Sequence, residues 1–318
     1  MDKRFLRWLH QRSRLRVKRF FFSRFYRDDC TDIDRTTLLA GTGRSGTTWL
    51  ADLIASPDRC RVLFEPFHSE KVPAFRRFAY FQYMRPHEAN AELEAVCNAI
   101  LAGRIRHPFV DRAVTVLRPH CRVIKEIRAN LFLRWVRVHF PSLPILFIIR
   151  HPCAVVASRM ELGWATDSDL APMLMQEKLV EDFLHDKMDI IAGAKTPESK
   201  HALIWCISNL VPLRQFPPGE LNVVFYENLC ADPHREVPRI LSALGRDVSH
   251  SALAQTGKPS ATSLFSSAVT TGANKLDRWR SCLTSKQVSE IRRIVQAFEL
   301  DHLYKDALTP QTEVDLQP

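Results

Sequence analysis

Thr37-Leu38-Leu39-Ala40-Gly41-Thr42-Gly43-Arg44-Ser45-Gly46-Thr47-Thr48-Trp49-Leu50-Ala51-Asp52-Leu53-Ile54-Ala55 passes from a short apolar run through a glycine loop into a helical pattern. A buried strand, a glycine turn and a helix N-terminus form the arrangement in which backbone N–H groups cradle an anion. A triphosphatase of this design needs a lysine followed by Ser or Thr after the last glycine, with the lysine on the terminal phosphates. Thr47 occupies the lysine position here, and the cation lies three residues earlier, at Arg44. The loop therefore offers positive charge and hydroxyls to an anion without the γ-phosphate clamp. Taken alone, it also fits an ordinary glycine turn before a core helix.

A second segment has the same character. Pro144-Ile145-Leu146-Phe147-Ile148-Ile149 is a continuous apolar run that ends in Arg150-His151-Pro152 and continues as a helix through Ser158-Arg159. Proline suits the first turn of a helix. An arginine at the carboxyl edge of a parallel strand points into the crevice where open α/β sheets bind ligands. With a hydroxyl two helical turns away, it can hold a second phosphate by a charge-assisted fork.

Taken together, these segments resemble the sulfotransferases that use 3′-phosphoadenosine 5′-phosphosulfate (PAPS). Arg44-Ser45-Gly46-Thr47-Thr48-Trp49 matches the family's 5′-phosphosulfate loop residue for residue, and Arg150, His151, Pro152, Ser158 and Arg159 match its 3′-phosphate motif. Val223-Val224-Phe225-Tyr226-Glu227-Asn228-Leu229, followed by Pro233, is similar to the strand whose tyrosine lies near the adenine. Gly272-Ala273-Asn274-Lys275-Leu276-Asp277-Arg278-Trp279-Arg280 looks like the loop that closes over the 3′-phosphate, although the usual Arg-Lys-Gly order is absent. The resemblance spans residues 36–300 or so. It implies PAPS as donor substrate, no metal, and a donor site of Arg44, Ser45, Gly46, Thr47, Thr48, Trp49, Arg150, Ser158, Tyr226, Asn274 and Lys275.

Within that family, Val62-Leu63-Phe64-Glu65-Pro66 is most like the glycan-directed branch and its bacterial relatives, and by position Glu65 is the acceptor-side base. A carboxylate within reach of a sugar hydroxyl can take its proton. The small-molecule branch carries Lys-x-His after the next strand. This chain has Lys125-Glu126-Ile127-Arg128 there, so the lysine is kept and the histidine is not, which favours Glu65 and leaves Glu126 in reserve. Sulfuryl transfer rests on alignment and charge stabilisation, and Arg44 and Lys125 are the cations expected on that charge. The expected acceptor is a hydroxyl of a carbohydrate or glycolipid. Rival readings are a phosphate-loop nucleotide kinase or triphosphatase, against which Thr47 counts, and a noncatalytic basic nucleic-acid binder, which leaves the paired phosphate motifs unexplained.

The rest of the chain fits one α/β domain. At 318 residues and 46% apolar, it can bury a large core. Apolar runs at 36–41, 61–64, 121–126, 144–149 and 220–226 read as strands, with helical patterns at 88–103, 128–139, 172–191, 198–215 and 284–300. The alternation predicts a phosphate-loop-type three-layer fold, a central parallel sheet flanked by helices. The expected organisation is a basic aromatic segment at 1–35, a sulfotransferase domain at 36–305 and a polar tail at 306–318. Residues 66–120 and 160–197 carry no recognisable chemistry and are expected to shape the acceptor cleft. Residues 249–275, rich in Ser, Thr and Gly, are expected to form a mobile loop over the donor.

The eight cysteines are scattered, with no C-x-x-C pair, and no H-E-x-x-H occurs. Buried thiols and a reducing compartment are the expectation. No run of 18 apolar residues is present. The net charge of +10 lies mostly in the first 27 residues, which hold ten Lys or Arg against Asp2, interleaved with aromatic residues. Such a segment suits an anionic membrane surface. A transit peptide and a nonspecific nucleic-acid arm compete with that reading, and no specific nucleic-acid site is expected. The expected location is cytoplasmic, peripheral on the inner membrane face.

Overall fold

The computed structural model describes residues 17, 20–29, 32–247, 253, 276–304 and 308–310. Five strands form one sheet: β1 (Thr36–Gly41), β2 (Arg61–Phe64), β3 (Arg122–Lys125), β4 (Ile145–Ile149) and β5 (Asn222–Phe225). Their order is β2-β3-β1-β4-β5, with every pairing parallel. The expected strands fall within a residue or two of those observed, because each is a short apolar run with nothing else of its period nearby.

Alternation along β1 divides the core. Leu38 and Ala40 face a large cluster with Ile124 and Phe147, while Leu39 faces a smaller one with Val123, Leu146, Ile148 and Val224. Helices cover both faces. They are α1 (Thr47–Ala55), α2 (Ala91–Leu101), α3 (Leu133–His139), α4 (Pro152–Glu161), α5 (Asp167–Leu174), α6 (Pro197–Gln215), α7 (Tyr226–Ala231), α8 (Pro233–Ala243) and α9 (Ser285–Ala297). Local signals set their starts: Asn90 caps α2 by accepting from Leu93 N–H, and Thr196 and Thr284 form capping boxes for α6 and α9.

The continuous helix expected at 172–191 is not there. Instead α5 ends at Leu174, Gln176 is extended, and the chain continues through short α, π and 3-10 turns to Gly193. Gln176 is held outside helical geometry by tertiary bonds, its side chain accepting from Tyr83 N–H at 2.7 Å and donating to the Phe81 carbonyl at 2.7 Å.

The amino ends of β2 and β3 are clamped together. Arg61 and Arg122, both fully buried, share the carboxylate of Asp28 at 3.0 and 3.1 Å, and Arg61 also meets Asp111 at 2.8 Å. Tyr26 is buried beneath Arg61 and donates to Asp111 at 3.1 Å, so the chain is anchored from Tyr26 onward. Beside this clamp Cys60 and Cys121 form a disulfide. That corrects the expectation of unpaired thiols. Arg61 and Arg122 are register partners across parallel strands, so the residues just before them face each other. Cys97, Cys153 and Cys206 are buried free thiols as expected. Asp58 lies beside the disulfide, a grouping in which both sulfurs are already bonded to each other.

Candidate active site

All five strands point their carboxyl ends at one cavity of about 320 Å³. The glycine loop after β1 forms its floor. Gly46 has φ of 96°, a left-handed conformation, and a Cβ there would come within 2.6 Å of the Tyr226 ring. α1 starts at Thr47, so the cavity receives a helix N-terminus together with Thr47, Thr48 and Trp49. Ser45 is fully buried, its Oγ has no partner among the described residues, and it does not line the cavity.

Arg44 also adopts a left-handed φ, 80°, unusual for a residue with a Cβ. Its Nε donates to Ser158 Oγ at 3.0 Å, and its carbonyl accepts from Arg150 at 3.1 Å. The loop after β1 and the loop after β4 are thus tied together, as the paired motifs imply. Burial and then the charge of Arg150 lower the pKa of Arg44, an effect that the Glu161 charge offsets only in part. Arg150 lies 4.4 Å over the Tyr226 ring, which meets Trp49 edge to face at 5.6 Å. His151 caps α4 by accepting from Cys153 N–H, and Glu227 accepts from His151 N–H at 3.0 Å and from Tyr304 at 2.8 Å. Arg278 and Trp279 reach the cavity from the late segment, where Arg278 pairs with Glu161 at 2.8 Å. Asn274 and Lys275, and nearly all of the expected loop at 249–275, lie outside the described residues.

The opposite wall is built on β2 and β3. Glu65, just past β2, has φ of 48° and is nearly buried. One of its oxygens accepts from Lys125 Nζ and the other from Arg128 at 2.6 Å. Burial would raise its pKa, but the two cations prevail and hold it at about 2. Glu126 points away from the cavity. It accepts from the N–H groups of Phe67, Ile127 and Arg128, which fixes the turn after β3, while burial and the neighbouring Glu65 charge push its pKa up to about 7.

Several lining residues were not singled out from sequence, among them Phe109, Glu161 and Trp164 as well as His68, Lys71 and Arg112. His68 is a buried imidazole whose Nδ1 has no partner among the described residues; burial, then Arg128, lower its pKa to about 3, so it is neutral. Lys71 and Arg112 line the outer rim. The position of His68, three residues after Glu65, was a usable signal; Lys71 and Arg112 follow no motif.

A sequence model of the sulfotransferase family matches residues 37–250. Nodulation protein NoeE of Sinorhizobium fredii is 24% identical over 229 residues, covering 69% of this chain and 52% of NoeE. The chain therefore spans about half the length of that curated relative. Among solved structures, the sulfotransferase domain from the curacin biosynthetic pathway is 15% identical and covers 83% of this chain and 96% of that one, at a TM-score of 0.43. Mouse sulfotransferase SULT7A1 complexed with PAP is 15% identical, covers 87% and 86%, and gives a TM-score of 0.42.

Proposed function

Since the chain belongs to the sulfotransferase family, we propose that it moves the sulfuryl group of PAPS to a hydroxyl of a carbohydrate or glycolipid. The observation that carries this reading is one cavity with Arg44 and Arg150, which form no ion pair among the described residues, on one wall and the Glu65–Lys125–Arg128 cluster on the other. The loop N–H groups, Thr47, Thr48 and Arg44 hold the 5′-phosphosulfate, Arg150 and Ser158 the 3′-phosphate, and Tyr226 and Trp49 flank the adenine side. Ser45 supports the loop from behind, and Asn274 and Lys275 are assigned to the closing segment.

The acceptor oxygen attacks sulfur, the bond from sulfur to the bridging oxygen of the 5′-phosphate breaks, and adenosine 3′,5′-bisphosphate leaves. Lys125 and Arg44 stabilise the charge that develops on the sulfuryl and bridging oxygens. Glu65 takes the hydroxyl proton. A carboxylate held near pKa 2 by two cations is a weak base. When the donor's oxygens draw Lys125 away, Glu65 loses one of those cations and becomes more basic. Glu126, turned into the protein, serves as scaffold in this scheme. No step requires a metal.

We place the functional domain at 36–305 together with residues 26–35, which Tyr26 and Asp28 anchor to it, with 1–25 as an accessory segment and 306–318 as a tail. Residues 20–25 are helical with Phe20, Phe21 and Phe25 exposed. Together with the surrounding cations they suit an anionic lipid surface, and a lipid-linked glycan at the cytoplasmic face would fit such placement. The disulfide between Cys60 and Cys121 counts toward an oxidising compartment instead. No helix among the described residues is long and apolar enough to cross a membrane. Flotation with anionic liposomes tests the surface, comparing the full chain with one beginning at Tyr26, where the anchored region starts; equal behaviour of the two removes the idea.

The deciding experiment for the donor is calorimetric titration with adenosine 3′,5′-bisphosphate and with ATP, each with and without magnesium. Metal-independent binding of the bisphosphate that is weakened in Arg150→Ala supports the reading. Preference for magnesium-ATP overturns it in favour of a kinase or triphosphatase.

A further inference from the structure

The cavity is lined by seven Lys or Arg residues and two carboxylates, and both carboxylates are already paired, Glu65 with Lys125 and Arg128, and Glu161 with Arg278. Arg44 and Arg150 face the donor's phosphates. That leaves Lys71 and Arg112, which have no acidic partner among the described residues.

The sheet order says which substrate these two face. The donor motifs follow β1, β4 and β5, whereas Lys71 and Arg112 flank β2, the opposite edge strand. Three strand spacings, about 14 Å, separate β2 from β4 and Arg150. The two cations therefore enter the cavity from the edge opposite Arg150, on the side where Glu65 would meet the acceptor.

They are also positioned. Phe64 N–H donates to Val110 at 2.8 Å, tying the turn that carries Arg112 to β2, and Asp111 beside it is fixed by its ion pair with Arg61. Lys125 and Arg112 lie 4.5 and 4.9 Å from the Phe64 ring, and Arg112 and Lys71 lie 5.6 and 5.1 Å from the Phe109 ring. The rings themselves meet edge to face at 5.6 Å. Lys125, Phe64, Arg112, Phe109 and Lys71 thus form a ladder running outward from the transfer point. Aromatic faces hold cations without neutralising them as carboxylates would. A cleft lined by one sign of charge concentrates ligands of the opposite sign.

We propose that Lys71 and Arg112 recognise an anionic group on the acceptor, so that the substrate is an acidic saccharide whose accepting hydroxyl lies a sugar unit or less from a carboxylate or phosphate. The proposal rests on the sulfotransferase reading of the cavity and specifies its acceptor.

The test uses the full chain saturated with adenosine 3′,5′-bisphosphate. Three probes are titrated: a tetrasaccharide of alternating glucuronate and N-acetylglucosamine, N-acetylglucosamine 1-phosphate, and neutral chitotetraose. At least one acidic probe should bind about tenfold more tightly than the neutral one, with an advantage that shrinks as salt is raised. Which acidic probe wins distinguishes carboxylate from phosphate. The double variant Lys71→Ala/Arg112→Ala should lose the preference, Lys71→Arg should keep it, and bisphosphate affinity should be the same in all. Equal binding of the three probes, binding of none, or a preference that survives the double variant overturns the proposal. Failure of the bisphosphate itself to bind would instead count against the donor assignment.

Discussion

On the β1–β4–β5 side of the cavity, the two strand-end cations meet neutral partners: Arg44 donates to a hydroxyl, and Arg150 to a carbonyl while lying over a tyrosine ring. On the β2–β3 side, Glu65 is bracketed by two cations in a buried cluster, and the strands beneath it are joined by a disulfide and a two-arginine clamp. The first half holds Arg44 and Arg150 open for a ligand, whereas in the second the Glu65 carboxylate is compensated internally until a ligand disturbs it, with Lys71 and Arg112 left beyond that cluster. Substituting Arg150 should therefore register as donor affinity, substituting Arg44 as turnover, and substitutions in the second half as turnover and stability.

The sharpest way to break this contrast is Glu65→Gln. Turnover should fall by about 100-fold or more, with bisphosphate affinity unchanged; retained turnover would move the base elsewhere in the β2–β3 half. The same variant carries a stability signature. Removing one member of a buried charge cluster costs about 3 kcal/mol. Because the Glu65 pKa is depressed in the folded chain, its contribution is complete above the ordinary carboxylate range near 4.5 and is lost as pH falls through about 2. Denaturant midpoints of parent and Glu65→Gln should differ by a constant amount above pH 4.5 and converge near pH 2.

Arg150→Ala should weaken bisphosphate binding by roughly 10- to 100-fold, the scale of a lost charge-assisted contact. Its melting temperature without ligand should be close to the parent's, because Arg150 forms no ion pair within the described residues and acts on the buried Glu227 only through space. A large stability loss would mean that Arg150 is structural and would erase the distinction between the halves.

Cys60→Ser tests the far end of the β2–β3 half. The disulfide spans 61 residues of sequence, a loop for which chain-entropy reasoning gives at most about 4 kcal/mol. Thermal unfolding of the variant should start lower, with donor affinity intact.

The two halves also differ in how far the sequence revealed them. The loops assigned to the donor are local: Thr37 to Trp49 and Ile145 to Ser158 each bring a strand, a turn and a helix start within a dozen or so residues, so the paired spacing was enough to suggest the assignment. The five strands were legible for the same reason. The wall proposed for the acceptor assembles His68, Lys71, Phe109 and Arg112 from irregular segments that converge where the turn at 111–113 packs on β2. Asp28 was missed for the same reason, since its partners Arg61 and Arg122 are distant in sequence and meet only across the β2–β3 pairing. The break at Gln176 follows from a contact with Tyr83, invisible to periodicity.

Arg44 has a last consequence. It holds a left-handed backbone that costs a residue with a Cβ about 1–2 kcal/mol, and it does so next to a second guanidinium. Glycine would relieve both penalties. Arg44→Gly should therefore melt above Arg44→Ala, reversing the usual rank of those two substitutions, while both lose far more turnover than donor affinity. At this position the chain retains a residue that thermal endurance alone would have discarded, so breeding the protein for heat resistance without assaying sulfation would be expected to remove its activity there first.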